Sequence, residues 1–263
     1  MLTRFDKMFN GVSRVSASLR DAAVALLYPN ACRVCGGLIE SWRDGVACAN
    51  CWQEIERKRT PENICAKCGA PVEPLPPQVA LDQRRCGRCP GLAFDFARAC
   101  GPYEGALRES VLSLKLRPHI APRLRQMLRQ TFAALPEADT IESIIPVPLH
   151  PTRLAERGFN QAEVIARELA SGAGLRVDRA GLVRVKKTER HRAGMGARER
   201  ARSLDQAFKV RASRLIEGRA LLVVDDVMTT GSTAHEIAET LLRANARSVY
   251  LLTLARASHE FGQ

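Results

Sequence analysis

The chain has 263 residues, a formal net charge of +12, 46% hydrophobic and 26% charged residues, which indicates a globular protein of one or two domains. Since no stretch approaches 18 consecutive apolar residues, we expect no transmembrane helix, and we predict a cytoplasmic protein. The excess of arginine and lysine favours phosphate-bearing ligands or nucleic acid as partners.

The first 28 residues predict an amphipathic helix. Their apolar residues recur at helical spacing, at Val12, Val15, Leu19, Ala23 and Leu26. The apolar run at residues 22–29 is short and lacks a clear cleavage site, so the segment differs from a secretory signal peptide. We expect this helix to pack on the body of the protein, and contact with a membrane surface is the alternative.

Eight of the nine cysteines form four C-x-x-C pairs, which predict zinc sites. The pairs are Cys32/Cys35, Cys48/Cys51, Cys65/Cys68 and Cys86/Cys89. Both sulfurs of one pair can reach the same tetrahedral ion, so we predict two structural Zn²⁺ ions. The first four cysteines would hold one ion and the last four the other, while an interleaved pairing stays open. With both ions bound, the net charge falls to about +8.

Other readings of the cysteines are weaker. A disulfide framework would need a secretory signal, and a redox motif would need a thioredoxin-like βαβ context. Cys100 lies outside the four pairs and is predicted to be a small buried apolar residue. Four prolines in residues 71–83 predict an extended connection inside the second ribbon. We therefore predict a double zinc-ribbon domain at residues 29–95 and a second domain at residues 96–263.

The second domain alternates between predicted helices and strands. Helices are predicted in residues 105–119, where the helix ends at Pro118, and at residues 121–135, 159–170 and 235–242. Strands are predicted in residues 143–151, where Pro146 and Pro148 cut the strand off, and at residues 207–211, 220–225 and 248–254. Such alternation is typical of an α/β fold, in which a mainly parallel sheet carries helices on both faces.

A strand at residues 221–224 leads into two carboxylates, Asp225 and Asp226, and then into a hydroxyl-rich loop before a helix. The loop contains Thr229, Thr230, Gly231, Ser232 and Thr233. Ligands of open α/β sheets bind beyond the carboxyl ends of the strands, and a helix N-terminus favours phosphate. The loop therefore suits a monophosphate, and the carboxylates suit sugar hydroxyls or the waters of Mg²⁺. An ordinary N-cap after a turn is the plainer alternative.

Two further stretches carry cations of the kind that such a site needs. Arg153 and Arg157 follow the strand at residues 143–151, where they are placed to clamp a diphosphate or merely to begin a solvated loop. Residues 185–208, which include Arg200, form a basic segment with two glycines. This segment is suited either to closing over a substrate or to gripping nucleic acid.

Two quoted stretches carry a family resemblance. Residues 221–233, LLVVDDVMTTGST, resemble the motif by which type I phosphoribosyltransferases bind phosphoribosyl pyrophosphate (PRPP). The stretch PVPLHPTRLAERGFNQA, with the double zinc ribbon, SLKL and TLAR, is similar to the ComF/GntX family, a branch of that superfamily. The resemblance covers nearly the whole chain. It implies a type I phosphoribosyltransferase-like sheet, with PRPP and Mg²⁺ as ligands, behind the zinc-ribbon domain.

The resemblance also implies roles for individual residues. Asp225 and Asp226 would hold the ribose hydroxyls and act in catalysis as electrostatic anchors, and the loop from Thr229 to Thr233 would hold the 5-phosphate. The pyrophosphate contacts would come from Lys115, Arg153, Arg157 and Arg200. The chain departs from the family at Ser203, where Asn is more common, and at Asn245, where the superfamily often has Gly. The acceptor of the phosphoribosyl group is not named by any segment.

The same resemblance implies a link to DNA uptake in natural transformation, with single-stranded DNA or DNA-processing proteins as partners. The alternative to a phosphoribosyltransferase is a non-catalytic zinc protein that senses PRPP or handles single-stranded DNA. Trp42 and Trp52 are the aromatic candidates for base stacking in the zinc domain. Since Trp52 directly follows Cys51, packing is the role that we expect for it.

Overall fold

A computed structural model of the chain describes residues 30–59, 64–73, 84–87, 89, 91–187 and 206–257. The predicted N-terminal helix, most of the proline-rich connection and the basic segment with Arg200 lie outside these residues. Across the described ranges, no helix is both long and apolar enough to cross a membrane.

A parallel sheet forms the centre of the second domain. The strands in the described residues are β1 (Phe96–Ala99), β2 (Ser143–Pro146), β3 (Arg176–Val177), β4 (Leu182–Arg184), β5 (Phe208–Val210), β6 (Ala220–Met228) and β7 (Ser248–Arg256). The large sheet has the order β1-β7-β6-β2-β3, and each neighbouring pair in it is parallel. β4 and β5 form a separate antiparallel pair. The predicted mainly parallel sheet is thus confirmed.

The described residues form α1 (Ala49–Lys58), α2 (Gly105–Leu114), α3 (Pro122–Ala133), α4 (Pro151–Arg157), α5 (Gln161–Ala173) and α6 (Ser232–Arg243). α2 ends at Leu114, four residues before Pro118, where the sequence predicted the helix to end. β2 stops at Pro146, the first of the two prolines predicted to cut this strand off, and α4 begins at Pro151. Pro151 occupies the first helical position, where its missing N–H costs nothing.

Helices cover both faces of the sheet. On one face of β6, Leu222 and Val224 belong to a buried cluster that includes residues of α2, α3 and α5. On the other face, Leu221 and Val223 pack in a second cluster with Ile237 of α6. This alternation follows from the two-residue period of a strand, and it explains why residues 220–224 of the strand are all apolar.

β6 corrects one prediction about the carboxylates. We expected both aspartates in the loop beyond the strand, but β6 continues through them and pairs with β7 as far as Met228, which lies opposite Arg256. Asp225 lies opposite Thr253 of β7 in this ladder, so it belongs to the strand and not to the loop.

The zinc-ribbon region packs directly on the second domain. Trp52 and Ile55 of α1 are fully buried in the same cluster as Leu107 of α2. Cys65 and Phe94 belong to the cluster on the other face of the sheet. Because each ribbon contributes to a core that the sheet completes, the ribbons and the sheet share their hydrophobic stabilisation. The domain boundary after residue 95 stays a prediction.

Candidate functional site

The hydroxyl loop connects the end of β6 to α6. Gly231 is the N-cap of α6 with φ +86°, in the left-handed region that favours glycine. The Thr230 and Ser232 hydroxyl oxygens are 2.8 Å apart, and the Ser232 N–H donates to the Thr230 hydroxyl over 3.3 Å. The loop thus presents hydroxyl groups and a helix N-terminus at the carboxyl end of a central strand, which is the arrangement that binds phosphate.

Asp225 lies beside this loop. It lines one small cavity with Thr229, Gly231 and Thr233. The cavity measures about 30 Å³, so a sugar phosphate would lie across its mouth rather than inside it. Burial raises the pKa of Asp225 well above its usual range, and the charge of Asp226 raises it further, while Lys115 acts in the opposite direction. A bound cation or sugar hydroxyls would favour the ionised form of this carboxyl group.

Asp226 does not line this cavity and pairs instead with Lys115. Its carboxylate lies 3.4 Å from the ammonium of Lys115, which follows the last residue of α2. The other carboxylate oxygen accepts the N–H of Val227 over 2.9 Å. Asp226 is 7% exposed, so the lysine supplies a counter-charge to a nearly buried carboxylate. Lys115 therefore contacts an aspartate of the site, and its pyrophosphate contact stays a prediction.

The two arginines after β2 have different surroundings. Arg153 is half-buried in α4. Arg157 donates a hydrogen bond to the side chain of Gln161, at the start of α5. The side chain of Asn160 caps α5 and also donates to the Val147 carbonyl over 2.9 Å, which ties this turn to the end of β2. Arg200 lies outside the described residues, so its predicted contact stays a prediction.

Arg184 is a further cation of the site that the sequence analysis missed. It is the last residue of β4, and its guanidinium lies 5.4 Å from the ring centre of Phe208. Burial lowers the pKa of Arg184; the Asp225 carboxylate raises it, and the Arg153 charge lowers it. Arg184 therefore interacts electrostatically with a carboxylate and with an arginine of the predicted site. Arg184 belongs to no recognisable sequence motif. Its role is visible only in the structure, where the antiparallel pairing of β4 and β5 sets Arg184 opposite Phe208.

The eight paired cysteines gather into two groups. One group is Cys32, Cys35, Cys48 and Cys51, the other is Cys65, Cys68, Cys86 and Cys89, and within each group the sulfurs lie within 4.8 Å of one another. The grouping is sequential, not interleaved. The closest sulfur pairs are 3.4–3.7 Å apart. Four sulfurs at 2.3 Å from a tetrahedral Zn²⁺ would be separated by about 3.8 Å, so both groups fit this ion.

Backbone N–H groups prepare both cysteine groups for a cation. The N–H of Cys48 donates to the sulfur of Cys32 over 3.3 Å, and the N–H of Cys86 donates to that of Cys65 over 3.2 Å. Burial acts to raise the pKa of Cys32 and Cys65, but such backbone hydrogen bonds outweigh it and lower each pKa to about 6. A bound Zn²⁺ would find these ligands as thiolates, as it requires.

The two tryptophans and Cys100 differ in their surroundings. Trp52 is fully buried, and its indole N–H donates to the Asp44 carbonyl over 2.8 Å, so it packs as expected. Trp42 is 53% exposed and has the Arg43 guanidinium 5.5 Å from its ring centre. Cys100 is fully buried, and burial raises its pKa to about 11, in keeping with an apolar packing role.

Comparison with known proteins agrees with this two-part organisation. The phosphoribosyl transferase domain model matches residues 154–261, and the double zinc ribbon domain model matches residues 23–90. The chain is 30% identical to the DNA utilization protein YhgH of Salmonella typhimurium over 238 residues, which cover 88% of this chain and 99% of that protein. It is 28% identical to competence protein F of Haemophilus influenzae, in a match that covers 86% of this chain and 96% of that protein. It is 26% identical to competence protein ComFC of Bacillus subtilis, in a match that covers 81% of this chain and 85% of that protein.

Proposed function

The chain belongs to the ComF/GntX family, in which a double zinc ribbon precedes a phosphoribosyltransferase domain, and from this premise we propose that it binds PRPP with Mg²⁺. We further propose that it transfers the phosphoribosyl group to an acceptor in a process of DNA uptake or DNA use. The DNA context rests on relatives described as competence and DNA utilization proteins, all of which the chain matches over most of their length.

The observation that carries the ligand proposal is the placement of Asp225 against the hydroxyl loop. One carboxylate, the loop hydroxyls and the N-terminus of α6 converge at the carboxyl end of β6. A ribose phosphate carries hydroxyl donors and a phosphate a few atoms apart. It matches this pairing of an acceptor group with phosphate-binding N–H and hydroxyl donors.

The residues present also fit a magnesium-bound pyrophosphate. Mg²⁺ commonly uses one or two carboxylates together with substrate phosphates, and when bound it neutralises the charge of the leaving group. Asp225 would contribute oxygen ligands directly or through water, and Arg153 and Arg184 would add positive charge beside it. Their attraction for a departing pyrophosphate would grow as its charge develops, which is the interaction that accelerates the reaction.

The test is calorimetric titration of PRPP with Mg²⁺ into wild type and into the double variant Asp225→Asn/Asp226→Asn. Hydrogen bonds to charged groups contribute about 1.5–3 kcal/mol each, so the double variant should bind more than about 100-fold more weakly. Glu137→Gln/Asp139→Asn is the matched control, since it removes the same charge at two exposed positions. Equal PRPP affinity in the two double variants, or no binding by zinc-loaded wild type, would contradict the proposal.

Handling of single-stranded DNA without transfer is the second candidate. The exposed Trp42 with Arg43 beside its ring favours it, because bases stack on such exposed aromatic rings. Under this candidate, a labelled single-stranded oligonucleotide binds with strong salt dependence, and Trp42→Ala weakens that binding without affecting PRPP. Release of pyrophosphate from PRPP with an added acceptor would favour transfer, whereas oligonucleotide binding without any release would favour the second candidate.

A further inference from the structure

The two cysteine groups differ in burial. In the group at Cys65, Cys68, Cys86 and Cys89, which we call the second centre, three of the four residues are buried. In the group at Cys32, Cys35, Cys48 and Cys51, the first centre, only Cys32 is buried, and Cys35 is exposed. Water can solvate the first centre, whereas the protein must stabilise most of the charge at the second.

That charge is substantial when zinc is bound. Four thiolates and one Zn²⁺ carry a net charge of about −2, and removing such a charge from water is costly unless cations or hydrogen-bond donors compensate it. Outer-shell donors to metal ligands commonly supply this compensation, and they also orient the ligands. The second centre should therefore be accompanied by nearby cations that the protein holds in place.

Two arginines of the sheet occupy this position. Arg256 donates to the Cys68 carbonyl over 2.6 Å, and its other terminal nitrogen lies 3.7 Å from the Cys68 sulfur. Arg98 donates to the carbonyl of Ala66, a residue between the ligands Cys65 and Cys68, over 2.9 Å. Both guanidinium groups therefore contact the same cysteine knuckle, residues 65–68. Together they carry a charge of +2, which offsets the net charge of about −2 on a Zn²⁺ bound by four thiolates.

The sheet fixes the positions of both arginines relative to the knuckle. Arg98 lies in β1, and Arg256 is the last residue of β7, the strand beside it. The Ala97 N–H of β1 donates to the Lys67 carbonyl inside the knuckle over 2.7 Å. A Cβ at Gly69 would stand 2.8 Å from the Ala97 carbonyl, so only glycine permits this approach. The guanidinium groups thus come from strands that directly support the second centre.

We propose that Arg98 and Arg256 are positioning residues of the second zinc centre, where they supply its counter-charge and its outer-shell hydrogen bonds from the transferase sheet. Zinc retention at this centre then depends on the second domain. The first centre, which is more exposed and packs through α1, does not depend on these arginines.

The test is chelator competition for zinc in the full chain, comparing wild type with Arg256→Gln. Wild type should release two zinc ions, and the variant should lose one of them about 10- to 100-fold more readily while the other is unchanged. Cys35→Ser, which removes an exposed ligand of the first centre, identifies the ion of the second centre. Arg256→Lys, which keeps the charge without the forked geometry, should give an intermediate result.

Arg98→Gln provides a second variant with the same expected loss, so the proposal remains testable if Arg256→Gln does not fold. Arg123→Gln is the matched control: it removes a guanidinium that pairs with Asp44 and Glu56 beside the first ribbon. It should leave the second zinc ion unchanged. Wild-type zinc retention in both Arg98→Gln and Arg256→Gln would overturn the proposal, and so would an equal loss from both centres in Arg256→Gln.

Discussion

Replacing Gly231 with alanine tests whether the hydroxyl loop seats a phosphate on its backbone. Gly231 has φ +86° and ψ 1° at the N-cap of α6, a left-handed conformation that costs other L-residues about 1–2 kcal/mol. The new Cβ would lie 2.9 Å from the terminal methyl of Met228, a flexible atom that can move away. The backbone cost should therefore dominate, and steric overlap should add little.

This cost arises once, and its place depends on the free loop. In the free protein, the loop can relax away from the left-handed conformation, so the free energy of unfolding should fall by less than about 1–2 kcal/mol. Bound phosphate must restore that conformation, so affinity for PRPP should fall by up to about 5- to 30-fold, the equivalent of 1–2 kcal/mol.

Gly174→Ala is the matched control. Gly174 ends α5 with φ 68° and ψ 19°, and a Cβ there would meet no atom within 4 Å. Its stability loss should be at least as large as that of Gly231→Ala, but it lies away from the loop and should leave PRPP affinity unchanged. Thermal unfolding and calorimetry on both variants separate the two effects. If both variants bind PRPP as wild type does, the phosphate does not depend on the backbone conformation of Gly231, and our reasoning about the loop is wrong.

Three other expected outcomes address the carboxylates and the ribbon core. Because the pKa of Asp225 is raised in the folded state, its contribution to stability is present below its unfolded pKa and is lost as pH rises through its folded pKa. Asp225→Asn should remove this loss of stability. Parallel pH profiles of urea unfolding for wild type and the variant would contradict this expectation. Trp52→Ala should cost about 3–5 kcal/mol of unfolding free energy, whereas the exposed Trp42→Ala should stay within about 0.5 kcal/mol; similar chemical denaturation midpoints would contradict the shared core. Lys115→Met should cost more than the roughly 0.2–1 kcal/mol of a solvent-exposed pair, since it leaves the nearly buried Asp226 without its counter-charge; a loss within that range in the same denaturation assay would contradict this role of Lys115.

Much of the candidate site could be predicted from the sequence because its parts are close along the chain. The hydroxyl loop needs only a strand end, Gly231 and the start of a helix, and all of these lie within one short stretch. The cysteine pairs are similar, since each C-x-x-C spacing limits both sulfurs to one ion. The extent of β6 was harder to predict, because pairing with β7 carries the strand through two charged residues that a strand pattern normally excludes.

The sequence by itself determined the order of a zinc-ribbon region and an α/β domain, the two sets of four cysteines and the loop that suits a phosphate. Only the tertiary structure decided that Asp225 lines the cavity beside the loop while Asp226 pairs with Lys115, that Arg184 interacts with Asp225, and that Arg98 and Arg256 contact the second centre. The physical reason is the distance along the chain. A local pattern specifies contacts within a turn or a loop, whereas Arg256 meets Cys68, 188 positions away, because the segment around Cys68 binds to β1 and β1 pairs with β7.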